Sequence, residues 1–268
     1  MGEGKAGRSG GTAVRRLHVL LCGYEILPKT VSTRDRGGRF ILAEPVCAYL
    51  LDTDRGWVLL DTGVDPGYSN DPLLRETLFL ANGWSPPVVR PAHLLEAQLE
   101  TIGVTCTDIG HVILSHLHYD HCAGLARFAH ARISIQRSEY AWGFGGAPGA
   151  GYLLRDYGAP RLDWDLHDGD WEAMPGLALL DTRGHTAGHQ SAMIDLPSGK
   201  AILLPFDAGD LAENFETEVL PGECHDEAAA LAAIRRLNAL RTEHDAEMLL
   251  FHDPVAIQAM RLAPDCYD

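Results

Sequence analysis

The stretch SHLHYDH, Ser115 to His121, follows directly on the apolar run Val112-Ile113-Leu114. A short apolar run rich in β-branched residues reads as a buried strand. Its end brings three histidines and an aspartate together. Neutral imidazole and carboxylate are ligands of zinc and its neighbours, and burying so many polar groups without a metal is costly. If strand geometry persists, His116 and His118 point to one side. Asp120 and His121 come after the chain has turned and can face a second position. The cluster splits two and two. One metal takes three or four ligands, so each pair needs help from elsewhere.

Three later segments offer it. DTRGHTAGHQS places His185 behind a strand and a glycine, LLPFDAGD places Asp207 at a strand end, and MLLFHDP places His252 at another. All three could converge on one edge of a sandwich. If Asp207 bridges, His116, His118, His185 and Asp207 complete one site, and Asp120, His121, His252 and Asp207 complete the other. Positions stay open for water and substrate, as hydrolysis needs. Both sites are filled without His189, which reads as structural or as orienting a ligand.

The remaining pattern predicts strands over Leu17–Cys22, Phe40–Asp52, Trp57–Leu60, His111–Ser115, Ala131–Gln136, Leu177–Asp181, Ser191–Leu196, Ala201–Pro205 and Glu247–Phe251. Helices are predicted in HLLEAQLETIG, closed by Gly103, and after Asp226, with Ala230, Ile234, Leu237 and Leu240 on one stripe. Strand clusters with helices between them suggest an α/β arrangement, helices packed outside a mainly antiparallel pair of sheets. Asp65–Pro91 and Gly143–Gly151 show little regular pattern. The second is glycine-rich and flanked by Tyr140, Trp142, Phe144 and Tyr152, which suggests a pocket wall or lid. Residues 1–14 read as a disordered tail, and 15–268 as a single domain.

Composition narrows the partners. The formal net charge of −15 argues against non-specific nucleic-acid binding. No run approaches the roughly 18 apolar residues of a membrane span. LHVLLCGYEIL is short and interrupted, so it reads as a strand and not a signal peptide. The six cysteines are scattered, with no C-x-x-C pair, and read as reduced thiols in a cytoplasmic protein.

LLDTG (Leu59–Gly63), SHLHYDH, GHTAGHQS, FDAGDLAENFETEV (Phe206–Val219), the helix AALAAIRRL and the late FHD occur in that order. In these pieces, which span roughly residues 17–268, the sequence resembles the metallo-β-lactamase superfamily and, within it, the N-acyl homoserine lactonase family of quorum-quenching enzymes. The resemblance implies an αβ/βα sandwich of two mainly antiparallel sheets with outer helices. It also implies a dinuclear site holding two divalent ions, usually Zn2+, with Asp61 orienting the ligands. The activity implied is opening of a lactone ring. A metal-bridging hydroxide attacks, the carbonyl lies on the His116/His118/His185 metal, and Asp120 delivers a proton to the leaving ring oxygen. The partner is a small-molecule lactone, and the chain is expected to be a monomer or homodimer.

The alternatives are a carboxylic-ester or thioester hydrolase similar to glyoxalase II and, outside catalysis, a metal-dependent binding module. The complete ligand set with open positions argues against the last. Glyoxalase II has a longer C-terminal helical part with basic residues for glutathione, whereas this chain ends soon after His252. The familiar dizinc β-lactamases carry cysteine or serine near the position of Asp207. One departure from the lactonase pattern stands out. The family has a tyrosine three residues after the bridging aspartate, with its hydroxyl on the substrate carbonyl, and here that position is Asp210. An ionised carboxylate cannot donate a hydrogen bond and would oppose an oxyanion, so Asp210 either points into solvent, the favoured reading, or is protonated, or the substrate is held differently. It stays a candidate for the substrate pocket or for orienting the ligands. Tyr119, between two ligands, is expected either to wall the pocket or simply to pack.

Overall fold

The structure, a computed structural model, describes residues 11–146 and 148–268. The first sheet contains β1 (Val14–Pro28), β2 (Ile41–Thr53), β3 (Gly56–Leu60), β4 (Ser85–Val88), β5 (Ile109–Ile113), β6 (Arg132–Gln136) and β7 (Asp163–His167), ordered β4-β1-β2-β3-β5-β6-β7. The second contains β8 (Trp171–Met174), β9 (Leu177–Asp181), β10 (Gln190–Asp195), β11 (Ala201–Leu204) and β12 (Glu247–Met248), ordered β12-β11-β10-β9-β8.

Both faces of the central strands are covered, which explains their near-continuous apolar runs. Leu17, Val19, Tyr49, Leu51 and Leu60 meet Leu179, Ile194, Ile202 and Leu204 between the sheets. On the outer side of the first sheet, Leu20, Leu50, Leu59 and Val112 pack with Leu95 and Leu99 of the helix Leu95–Ile102. On the outer side of the second, Met193 and Leu203 pack with Ala233, Ile234 and Leu237 of the helix Glu227–His244. The layers run αβ/βα, as expected.

Antiparallel pairs dominate, but parallel pairs cluster where they matter. β3, β5, β6 and β7 run parallel, and so do β11 and β12. β9 is antiparallel to β10, and β10 to β11, so β9 also runs with β11 and β12. The segments that leave β3, β5, β9, β11 and β12 therefore emerge from C-terminal strand ends. These segments carry every candidate ligand.

Several expectations need correction. β4, β7 and β8 were not predicted. β4 is SPPV and β7 is DWDLH, so neither carries an apolar run. β12 stops at Met248 rather than Phe251. Asp65–Pro91 is not irregular. It folds into helical turns over Gly67–Asn70, Pro72–Leu74 and Arg75–Phe79 before β4. Asp71 starts the second turn, its carboxylate accepting from the backbone of Leu73 and Leu74. Of the expected tail 1–14, residues 1–10 lie outside the described residues, while Val14 already opens β1 and is fully buried. All six cysteines are free, and no described helix is long and apolar enough to cross a membrane.

Candidate metal centre

β5 ends at Ile113, and the chain then crosses the sheet edge. Asp61, just after β3, organises this crossing. Its carboxylate accepts from the Ser115 backbone at 2.7 Å and the Ser115 hydroxyl at 2.8 Å. It also faces His121 Nδ1 at 2.8 Å, so His121 presents Nε2 to the site. Asp61 adopts a left-handed φ of 58°, a conformation aspartate tolerates better than most residues. Orienting the ligands is the role the resemblance implies for it.

The other imidazoles are aimed in the same way. His252 Nδ1 faces the Pro45 carbonyl at 3.0 Å, and His185 Nδ1 faces the Glu223 carbonyl at 3.1 Å. His189 joins neither set of candidate ligands. Its Nε2 accepts from the Asp207 backbone at 3.1 Å, and its Nδ1 faces Thr182 Oγ1 at 2.9 Å. It steadies Asp207, as a second ring of hydrogen bonds around a metal does.

Two groups of atoms result, each able to hold an ion: His116, His118, His185 and Asp207, and Asp120, His121, Asp207 and His252. Asp207 faces both groups with different oxygens. Oδ2 lies 3.5 Å from His116 Nε2 and 3.3 Å from His185 Nε2. Oδ1 lies 3.2 Å from His121 Nε2 and 3.5 Å from His252 Nε2. Asp120 Oδ2 closes the second group, 3.1 Å from His121 Nε2 and 3.5 Å from His252 Nε2. In the first, His185 Nε2 and His118 Nδ1 are 3.1 Å apart.

These separations suit a shared ion. Ligands about 2.0–2.1 Å from a tetrahedral zinc lie about 3.3–3.4 Å from one another. His116 Nε2, His121 Nε2 and Asp207 Oδ1 are buried with no hydrogen-bond partner, a costly state for protein alone. The donor set fits two divalent ions.

Without metal the site's protons are strongly displaced. Burial first, then His121, pushes His116 well below its ordinary value. Burial would also lower His252, but Asp207 and other nearby carboxylates outweigh it and raise it to about 10. Burial opposes ionisation of Asp207, yet His121, His116 and His252 hold it well below the usual carboxylate range.

Tyr119 stands between His118 and Asp120. It lines the cavity beside the two groups, its ring packs edge-on against Tyr68 and Phe79, and its hydroxyl donates to Glu25. Of the readings open for Asp210, the structure excludes solvent. The residue lies buried in the wall of the same cavity. Burial, then the charge of Asp207, raises its carboxyl well above the ordinary value.

Gly151, at the end of the glycine-rich segment, lines the cavity. The Gly151 carbonyl accepts from the Tyr119 backbone at 2.9 Å, and a Cβ at Gly151 would stand 2.8 Å from His118. Sequence reading missed Glu25, Glu44 and Glu223, which also line the cavity, and Glu139. The buried Glu139 carboxylate accepts from the backbone of Leu117 and Gly188 and from the Tyr152 hydroxyl. None of these four has a local sequence signal.

Comparison with known proteins is consistent with this geometry. The family described as the metallo-beta-lactamase superfamily matches residues 43–252. The N-acyl homoserine lactonase of Bacillus cereus is 31% identical over 252 residues, 94% of this chain and 98% of that protein. The lactonase AttM of Agrobacterium fabrum (strain C58) is 30% identical, over 83% of this chain and 87% of its own. A solved AiiA mutant of B. thuringiensis with N-decanoyl-L-homoserine bound at its active site superposes with a TM-score of 0.87 at 30% identity, covering 96% of this chain and all of that one. An N-acyl homoserine lactone hydrolase with the product N-hexanoyl-L-homoserine at its catalytic metal center gives the same values.

Proposed function

Because the chain belongs to the metallo-β-lactamase superfamily and, within it, to the N-acyl homoserine lactonase family, we propose that it hydrolyses the ring ester of N-acyl homoserine lactones or related lactones with two bound Zn2+ ions. The observation that carries the reading is Asp207, with one carboxylate oxygen in each of two ligand groups. His116 Nε2, His118 Nδ1, His185 Nε2 and Asp207 Oδ2 would hold one ion. Asp120 Oδ2, His121 Nε2, His252 Nε2 and Asp207 Oδ1 would hold the other. When bound, the ions supply positive charge that eases deprotonation of water and polarises the ester carbonyl.

The protein's own groups do the rest. Asp61, Pro45, Glu223 and Ser115 fix the imidazoles, so ligand geometry is set before substrate arrives. Asp120 faces the cavity with Oδ2 turned to His121 and His252. Its Oδ1 is left to carry a proton to the leaving ring oxygen. Leu27, Val31 and Trp84 form the apolar part of the wall and exclude water from the substituent. The products are a carboxylate and an alcohol on one open chain. The protein acts in the cytoplasm on a small molecule, as a monomer or homodimer.

The test combines elemental analysis with a substrate panel. Protein purified without chelator should hold close to two metals per chain, with zinc predominant. It should open acyl homoserine lactones faster than it cleaves a glutathione thioester or a β-lactam. His116→Ala and Asp207→Ala should lose both metal and turnover. One metal per chain with full activity, or fastest cleavage of the thioester, would refute the reading.

A further inference from the structure

Beyond the ligands, the cavity is walled by carboxyl groups. Glu25, Glu44, Asp210 and Glu223 line it, and no lysine or arginine does among the described residues. Glu25 accepts the Tyr119 hydroxyl. Glu44 accepts the Ser32 hydroxyl on both oxygens, at 2.7 and 2.8 Å. Asp210 is 8% exposed, and its Oδ1 has no hydrogen-bond partner. Glu223 stands at the mouth, on the loop whose carbonyl orients His185. Trp84 forms part of the same wall and is itself buried.

Such a wall is costly unless something compensates it. With Asp120 and Asp207, six carboxyl groups face the cavity, more negative charge than two divalent ions could offset were all six ionised. Buried acids such as Glu25, Glu44 and Asp210 are unfavourable without cationic partners, no lysine or arginine lines the cavity, and the imidazoles beside it are neutral when they hold metal. A ligand can supply the cation. Carboxylates beside a tryptophan are suited to an ammonium, which takes hydrogen-bond acceptors on one side and an aromatic ring on another. An alkyl end would leave Asp210 Oδ1 unpartnered, and an anionic end would be repelled.

Resting on the lactonase reading, we propose that this cavity selects lactones whose substituent carries an ammonium group, held by Asp210, Glu44 and Glu223 against Trp84. The reaction is unchanged. Water adds at the ring carbonyl, the acyl carbon–oxygen bond breaks, and the amine passes through untouched.

Three homoserine lactones of matched shape separate the possibilities: N-glycyl with an ammonium end, N-propionyl with a methyl end, and N-malonyl with a carboxylate end. On the metal-loaded enzyme, below the pKa of the glycyl amine, kcat/KM should favour glycyl over propionyl by about tenfold and place malonyl last. Calorimetry of the three ring-opened compounds against metal-free protein should give the same order of affinity. The preference should shrink in Glu223→Gln, at the cavity mouth, and in Asp210→Asn. If Asp210→Asn does not fold, Glu223→Gln and calorimetry of the unaltered chain still decide. Propionyl equal to or better than glycyl in both measurements would overturn the proposal. If no lactone is opened, the lactonase reading fails, and the calorimetric order alone judges the cavity.

Discussion

Glu139 draws three loops of the site onto one carboxylate. It accepts from the Leu117 backbone at 3.1 Å, between His116 and His118. It accepts from the Gly188 backbone at 2.8 Å, after His185, and from the Tyr152 hydroxyl at 2.7 Å, next to the glycine-rich wall. It touches no candidate ligand atom, so its role is positioning. In Glu139→Gln an amide NH2 must face at least one of these donors, and leaving a buried donor unpaired costs about 1–3 kcal/mol. We expect metal affinity to fall about 10- to 100-fold, as for other groups that orient ligands. Competition with a chromogenic chelator measures it, and unchanged affinity would reduce Glu139 to packing. The ligands were legible in sequence because they stand next to strand-forming runs and four of them are nearly contiguous. Glu139 was not. Its three partners lie 13, 22 and 49 residues away, and two are backbone amides, which every residue but proline carries. Asp210 was legible as an oddity, but its direction was not, because that depends on how the following turn packs.

The helix Glu227–His244 links the second sheet to the ligand loop. The Asp226 side chain caps it, accepting from the Ala229 backbone at 3.0 Å. The Asp226 backbone donates to the Gly184 carbonyl, and that of His225 to the His185 carbonyl, each at 2.9 Å. Gly184 has a φ of 142°, and a Cβ there would lie 2.2 Å from the Ala230 nitrogen. Two variants separate capping from close approach. Asp226→Ala removes one cap and should cost about 1 kcal/mol of stability, with metal content intact. Gly184→Ala must displace the helix or the His185 loop, so it should cost more and also lower metal content. Urea unfolding followed by metal analysis distinguishes them, and a Gly184→Ala protein matching the parent in both would contradict the argument. Both the cap and the apolar stripe of this helix were readable locally. β4, β7 and β8 were not, because pairing with neighbours, not their own composition, makes them strands.

At the scale of the whole molecule, His121 and His252 favour protons in the metal-free site, at the nitrogens that would hold metal. In the metal-free chain, burial disfavours a charged His252, but Asp207 and other carboxylates prevail, so its folded pKa rises from 6.5 to about 10. His121 is raised in the same way against burial, by Asp120, Asp207 and Asp61. A group whose folded pKa exceeds its unfolded one binds its proton more tightly when folded. Its stabilisation is complete below 6.5 and is lost as pH rises toward about 10. Asp207 has the opposite sign. Burial resists its ionisation, His121 and its partners outweigh that, and the depressed pKa gives stability that is lost on acidification below its ordinary 3.8. Metal-free protein should therefore be most stable at mildly acidic to neutral pH and should weaken as pH rises through the His252 window. Metal-loaded protein needs neutral imidazoles and should hold its stability across that window. Loading must displace the protons on His121 and His252, so apparent metal affinity should increase with pH over the same range. Melting temperatures of chelated and loaded protein across this range, with proton release on metal addition followed by an indicator dye, test the linkage. A chelated protein whose melting temperature rises through the window, or metal uptake that releases no protons, would show that these histidines are not protonated in the empty site.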